Sequence, residues 1–373
     1  MVIPFLSVYL TQDLQLSKGQ TGLVITMFGV GSMVGSYLGG FLTDKIGYFK
    51  VLAFSLILGG VFFIGLDFVS SYYGLMTYIF VLSVIAESYR PASMVAVSVY
   101  STAENTTRSF GLLRFAINLG FSLGPALGGL LAAKLGFSWL FWVDGCTCIA
   151  AGILFTVLLK PKATPSNDSK EMASEEVSLE KGQSVFKDYR YLFFLLTGVL
   201  SSIIFVQVNS VIPVFFKEEV LMSEAMIGLV MATNGIIITF FEMPLVYSLE
   251  NKRSPLQIIL VGYAFLGLCY VAFLALPTII VVPFIAIALL TIGEMLCFPF
   301  SNTYALQHAT PATRGKYMAL YTVSWSIAHI SAPTLGFQIV EHFSYNVLWS
   351  LMIVLAILAC LGVWLLQGNF LKK

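Results

Sequence analysis

The sequence predicts an all-α polytopic membrane protein, two six-helix bundles joined by one polar linker. Three observations carry that expectation. The 373 residues are 58% hydrophobic and only 10% charged, whereas a soluble domain carries about a quarter charged residues. Thirty-nine charged side chains cannot cover a water-facing exterior of this size. Apolar stretches of roughly 20 residues, the length that crosses a bilayer core, recur on both sides of a single polar segment. The two halves also resemble each other in sequence. The net charge of +1 excludes a strong pull toward nucleic acid or an acidic polymer. The five cysteines all fall inside apolar runs, where they read as small buried hydrophobes rather than a secreted disulfide framework.

Taken in order, the apolar segments are 1–11, 19–42, 50–69, 74–99, 109–133 and 138–159, then 190–215, 224–248, 255–276, 279–305, 317–340 and 345–367. Residues 160–190 hold twelve charges and two prolines without periodicity, the composition of a hydrophilic connection. The domains are therefore expected to be a bundle over 1–159, a cytoplasmic linker over 160–189 and a second bundle over 190–373. Segment 1 is too short to span a bilayer. Its Ile3-Pro4 matches Ile212-Pro213 near the end of segment 7, so the chain is expected to begin inside its first helix.

Orientation follows from the basic residues. With the linker inside, fifteen Lys and Arg side chains fall on the inner loops and termini. Lys18, Lys134 and Lys217 fall outside, and Arg90 and Arg114 lie within helices. That asymmetry places both termini in the cytoplasm of a bacterial inner membrane protein. The repeat is weak but regular. Gly22-Leu23-Val24 recurs as Gly228-Leu229-Val230, Ser17 as Ser223 and Arg108 as Arg314, all at an offset of 206. Pro125 and Pro333 are related at 208. Two similar bundles of this kind point to a transporter whose pathway runs between the halves.

Two stretches carry a family resemblance. Gly39-Gly40-Phe41-Leu42-Thr43-Asp44-Lys45-Ile46-Gly47-Tyr48-Phe49-Lys50 resembles the loop 2–3 signature of the major facilitator superfamily. Asn118 to Gly129, with Gly120, Gly124, Pro125, Gly128 and Gly129, resembles the helix 5 antiporter motif of its 12-helix proton-coupled drug exporters. The usual basic pair after the loop glycine is Tyr48-Phe49 here, and the second copy of the loop, Glu250-Asn251-Lys252-Arg253, is degenerate. The resemblance implies the major facilitator fold and a gate built from Asp44, Lys45, Gly40, Gly47, Arg114, Gly124 and Pro125. It further implies that the Gly31, Gly35, Gly39 face meets helix 11 and that Asp44 latches the outward-open form. On physical grounds alone, that glycine stripe permits close helix packing in lipid, and Arg114 could snorkel or pair with an acid such as Asp44.

Charged groups at membrane depth are costly and mark pathways or proton sites. Glu294, Glu242 and Glu87 are the candidate proton-coupling residues, with Glu294 first because its own helix offers it no cation. Asp144 reads as structural. Arg90 lies three residues after Glu87, so the two can pair along a helix or serve a substrate. Arg90, Asn118, Gln207, Asn209, Asn234, Asn302, Trp325 and His329 form the candidate substrate lining, although an aromatic stripe in helix 11 could serve packing alone. No nucleotide loop, HExxH or cysteine–histidine ligand set is present in the sequence. No enzyme activity, metal or cofactor is therefore expected, and the energy source is a proton gradient. The working unit is expected to be a monomer in the lipid bilayer acting on a small-molecule substrate. The activity expected is proton-coupled antiport, the efflux of small amphipathic or cationic compounds by alternating access. Import of a peptide, sugar or nucleoside, and flipping of a lipid or cell-wall precursor, are the alternatives.

Overall fold

A computed structural model describes residues 2–101, 106–162, 185–250, 252–276, 279–309 and 313–368. Most of the expected linker, 163–184, lies outside the described residues. Those described are helical, with no strand among them. The elements run α1 (Ile3–Val8, continued by a π-helical turn Tyr9–Asp13), α2 (Lys18–Ile46), α3 (Tyr48–Gly65), α4 (Tyr72–Glu87, then Tyr89–Tyr100), α5 (Thr106–Leu135) and α6 (Ser138–Leu158). The second half holds α7 (Tyr189–Val206, then Val211–Glu218), α8 (Glu224–Leu249), α9 (Pro255–Ala275), α10 (Val282–Gln307), α11 (Arg314–His342) and α12 (Tyr345–Gln367). Ten helices are long and apolar enough to cross a bilayer. The remaining two are the short α1 and the 29-residue α11, whose middle carries Ser324, Ser326, His329, Ser331 and Thr334.

Local chemistry sets the ends and the breaks. Ser17 caps α2 and Ser254 caps α9, each in a reciprocal capping box with a glutamine three residues on. Ser223, related to Ser17 by the internal repeat, caps α8. Gly47 ends α2 at φ +90°, a conformation that side-chain-bearing residues avoid, and this lets α3 start at the next residue. The break in α4 falls at Ser88, because Pro91 lacks an N–H and its ring crowds the Glu87 carbonyl four residues back. Segment 7, expected as one helix, is divided by a 3-10 turn at Gln207–Asn209 for the same reason, with Pro213 four residues beyond Asn209.

The bundles meet through two matching seams. In one, Gly22 of α2 lies against Pro333 and Phe337 of α11; a Cβ there would stand 3.1 Å from the Pro333 carbonyl oxygen. In the other, Gly228 of α8 lies so near α5 that a Cβ would collide with the Pro125 carbonyl oxygen. The repeat thus builds a glycine-on-proline-carbonyl contact twice. Thr26 tightens the first seam, donating to the Ile330 carbonyl at 2.9 Å and sharing a hydrogen bond with Thr334 at 2.6 Å. The nearby end, where α2 begins and α11 finishes, is closed by polar ties. Lys18 pairs with Glu218 at 2.9 Å, Glu218 accepts from the Tyr345 hydroxyl at 2.7 Å, and the Glu341 carboxylate caps the Gly19 amide across the interface.

Toward the opposite end the α2–α11 seam parts, while the α5–α8 seam runs on through Gly235 on Ser122 to Arg114 and Glu242. From Gly31 onward α2 leaves α11 and packs on α4, through Gly31 on Ser83, Gly35 on Val84 and Gly39 on Ser88. The expected contact of this glycine stripe with helix 11 is therefore corrected: the stripe serves its own bundle while the cleft is open at that end. Gly40, Gly111 and Gly120 face open space.

The start of α7 is stapled to α10, α11 and α12. Asp188 accepts from the Tyr191 amide at 2.9 Å, the Tyr317 hydroxyl at 3.1 Å and the His308 ring at 2.8 Å. Arg190 donates to the Leu366 carbonyl at 2.6 Å. Burial alone would raise the Asp188 carboxyl, yet the Tyr191 amide, His308 and Tyr317 together hold it below its ordinary value. A depressed carboxyl contributes stability that is present above its unfolded value and lost as pH falls through its folded one. Asp188→Ala removes the cap and is expected to cost about 0.5–2 kcal/mol at neutral pH. The difference from wild type in thermal unfolding should narrow as the medium is acidified below about pH 4.

Candidate functional site

On one wall of the open cleft, α7, α8, α10 and α11 each bring polar or aromatic groups to membrane depth. Glu294 stands mid-way along α10, where its Oε2 accepts a hydrogen bond from Asn234 Nδ2 of α8 at 2.8 Å. The same amide donates to Thr291 Oγ1 at 3.0 Å. One turn beyond Glu294, Phe298 meets Trp325 of α11 edge-on with ring centroids 4.5 Å apart, and Phe205 of α7 closes the corner at 5.0 Å from Phe298. Trp325 stacks on His329 at 6.0 Å. His329 is exposed to the cleft although it sits in the middle of α11. The result is a carboxylate at one edge of an aromatic box, a combination suited to an apolar cation through ion pairing and ring-face attraction.

Across the cleft, Arg90 Nε and Glu87 Oε2 lie 2.5 Å apart on α4. The pair is unequal, since the Glu87 side chain is 12% exposed and that of Arg90 68%. Arg90 therefore presents a cation to the cleft while Glu87 anchors it, and Arg90 lies within electrostatic reach of His329. A third pair joins the bundles: Arg114 of α5 binds Glu242 of α8. This corrects the expected pairing with Asp44, and it sets Glu242 and Asn234 against different neighbours although both lie on α8. Successive α8 residues point 100° apart. The seven-residue series Gly228, Gly235, Glu242 faces α5, at Pro125, Ser122 and Arg114, which leaves Asn234 to face α10.

Other candidates fall elsewhere. Gln207 is fully buried, donating to the Ala332 carbonyl at 3.0 Å and accepting from Ser210 at 3.2 Å. It satisfies backbone and side chain at the α7 break and does not line the cleft. Asn209 is half-buried in that same turn, Asn118 is half-buried on α5 and Asn302 is exposed near the open end of α10. Asp44 and Lys45 are exposed at the end of α2, with Lys45 over the Phe41 ring at 5.9 Å. Gly124 is half-buried beside the buried Pro125 on the α5 seam. Asp144 accepts from the Val2 amide at 2.9 Å. Phe205 and Thr291 are the residues that sequence reasoning missed. Thr291 could have been found three residues before Glu294 on one helical face, whereas nothing separates Phe205 from the other aromatics of α7. Among the described residues no group of His, Cys, Asp and Glu is arranged to hold a metal ion.

The profile of the Major Facilitator Superfamily matches residues 1–333. The chain belongs to that superfamily. A Na(+), Li(+), K(+)/H(+) antiporter of Planococcus maritimus is 22% identical over 89% of this chain and 84% of its own length. The quinolone resistance protein NorA of Staphylococcus aureus is 32% identical over 46% of this chain and 44% of its own. Among solved structures, the nucleoside transporter NupG superposes with a TM-score of 0.81 at 13% identity, covering 98% of this chain and 95% of that one. The last of these speaks to the fold alone. The chain is thus a multi-pass membrane transporter of the superfamily.

Removing one member of the inter-bundle pair leaves a buried charge uncompensated. Glu242 is 8% exposed and Arg114 50%, so solvent softens the usual 3–5 kcal/mol penalty; Arg114→Met is expected to cost about 1–3 kcal/mol. The double variant Arg114→Met/Glu242→Gln should recover most of that loss in thermal unfolding of the detergent-solubilised protein.

Proposed function

We propose that the protein is a proton-coupled antiporter that exports small amphipathic or cationic compounds from the cytoplasm by alternating access. The observation that carries this reading is the placement of Glu294 beside the Phe205–Phe298–Trp325–His329 box on one wall of the open cleft. The antiporter and drug-resistance relatives support it. The basic-residue asymmetry supports an open end on the cytoplasmic side, from which a compound reaches the box from within the cell or from the inner leaflet. A carboxylate held away from water gains little by remaining ionised unless a cation is near. Substrate and proton therefore compete for Glu294. Binding of a cation releases the proton; closure of the open end and parting of the Lys18–Glu218 end would present the substrate outside; a new proton on Glu294 returns the empty carrier.

Arg90 favours a second reading, proton-coupled uptake of an anionic or hydroxylated nutrient. A cleft-exposed guanidinium is well matched to carboxylate or phosphate groups, and Arg90 exposes 68% of its side chain.

The test uses purified protein in proteoliposomes with an imposed pH gradient, an internal pH-sensitive dye and a panel of lipophilic cations. Substrate-triggered proton movement is expected in the wild type and should fall at least about 100-fold in Glu294→Gln, the scale of losing an essential proton-transfer group. Preserved proton movement in that variant would overturn the assignment. Silence in both proteins, together with Arg90-dependent uptake of an anionic solute, would establish the second reading.

A further inference from the structure

The hydrogen bonds around Glu294 run in one fixed direction. Thr291, fully buried one turn before Glu294, donates its hydroxyl proton to the Ile287 carbonyl at 2.7 Å. A hydroxyl has a single proton, so toward Asn234 the Thr291 oxygen can only accept. That requirement turns the NH2 of the Asn234 amide, and not its oxygen, toward α10. The second N–H of the same NH2 then reaches Glu294 Oε2. A donor aimed at a carboxyl group stabilises its ionised form and occupies one oxygen. Oε1 is left free of that contact.

Asn234 is also mechanically placed. Its neighbour Gly235 is seated on Ser122 of α5, closely enough that a Cβ would stand 2.5 Å from the Ser122 amide nitrogen. Glu294, by contrast, belongs to a helix locked against α9, where Gly262 and Gly293 stack with comparably short approaches. The Asn234–Glu294 bond thus joins a helix that follows the inter-bundle seam to a helix that follows its own bundle. Other ionisable groups face this carboxyl. Glu242 of α8 and Arg114 of α5 are within electrostatic reach, and Cys297 lies on its own helix. Tyr263 of α9 and Tyr321 of α11 adjoin Cys297. Cys297 Sγ donates to the Glu294 backbone carbonyl at 3.7 Å, and the carboxylate itself accepts from Asn234.

We propose that Thr291 and Asn234 form a positioning pair for Glu294: Thr291 orients the Asn234 amide, which keeps the carboxylate ionised while α8 is seated on α5 and releases it for protonation when that seam shifts. Asn234, expected from sequence to touch substrate, acts instead through Glu294. The proposal takes its purpose from the antiport reading, but the network can be titrated without any transport.

The experiment is an infrared titration of the purified protein, following the protonated-carboxyl band that disappears in Glu294→Gln. Asn234→Leu, close in volume to the original, should move the midpoint of that band upward by about one pH unit. Thr291→Val should move it in the same direction by less, and Thr291→Ser, which restores the hydroxyl, should return it to the wild-type position. In proteoliposomes held well above the midpoint, where the proton no longer competes, the KM of Asn234→Leu for a cationic dye should stay within about twofold of wild type. Thermal unfolding checks that each variant is folded. An unmoved midpoint in folded Asn234→Leu would overturn the proposal, as would a Thr291→Ser protein that behaves like Thr291→Val, or a raised KM with the midpoint unchanged. Shifted midpoints in a protein that moves no protons would sink the antiport reading and leave the positioning pair intact.

Discussion

The architecture depends on the approach of glycine to a proline-bent helix across the interface of the bundles. Gly22 against Pro333 and Gly228 against Pro125 let two pairs of backbones come nearer than any side chain would allow. In lipid, where apolar burial gives no advantage to one helix contact over another, this proximity supplies dispersion and weak Cα–H···O attraction. Both contacts sit toward the same end of the molecule. They leave the other end free to open, and the cleft is the geometric result. Everything that gives the cleft its chemistry is placed relative to those two seams, including Arg114, Asn234 and His329.

The cleft holds its charges on unequal terms. Glu87 is buried and Arg90 is open to the cleft; Glu242 is buried and Arg114 half-open. In each pair the acid is the fixed member and the guanidinium is the one within reach of a ligand. Glu294 breaks this pattern, since its carboxylate accepts from a neutral amide. It is the acid in the set whose charge can change without stranding an arginine, which is the property a proton carrier needs.

Much of this was legible in the sequence, and for identifiable reasons. Helix positions follow from runs of apolar residues that a bilayer requires, so segments expected at 74–99 and 317–340 appear as Tyr72–Tyr100 and Arg314–His342. The matched contacts follow the repeat the sequence shows, since Gly22 and Gly228, and Pro125 and Pro333, recur at nearly one offset. Glu294 was legible because an acid at that depth is too costly to be incidental. Partners were not. Which face of α8 meets α5 depends on helix rotation, and a rotation of 100° separates Asn234 from Gly235. Sequence spacing could relate Asn234 to Glu242 at eight residues, yet the two face different neighbours. Gln207 was misread for a related reason: a glutamine beside a proline-induced break is drawn to the carbonyls the break exposes. Its role emerges only once the break itself is seen.

The closed end is held differently from the seams. Lys18, Glu218 and the Glu341 carboxylate on the Gly19 amide are electrostatic ties, with the Lys18 and Glu218 side chains each more than a quarter exposed. The glycine–proline contacts are indifferent to dissolved ions, whereas exposed ion pairs weaken as the screening length shortens, from about 10 Å at 0.1 M salt to about 3 Å at 1 M. In the alternating-access reading proposed above, the balance between the two orientations is therefore partly set by the medium bathing that end. A cell in brine and a cell in fresh water would hold the same protein at different resting poises, without any change in its cleft.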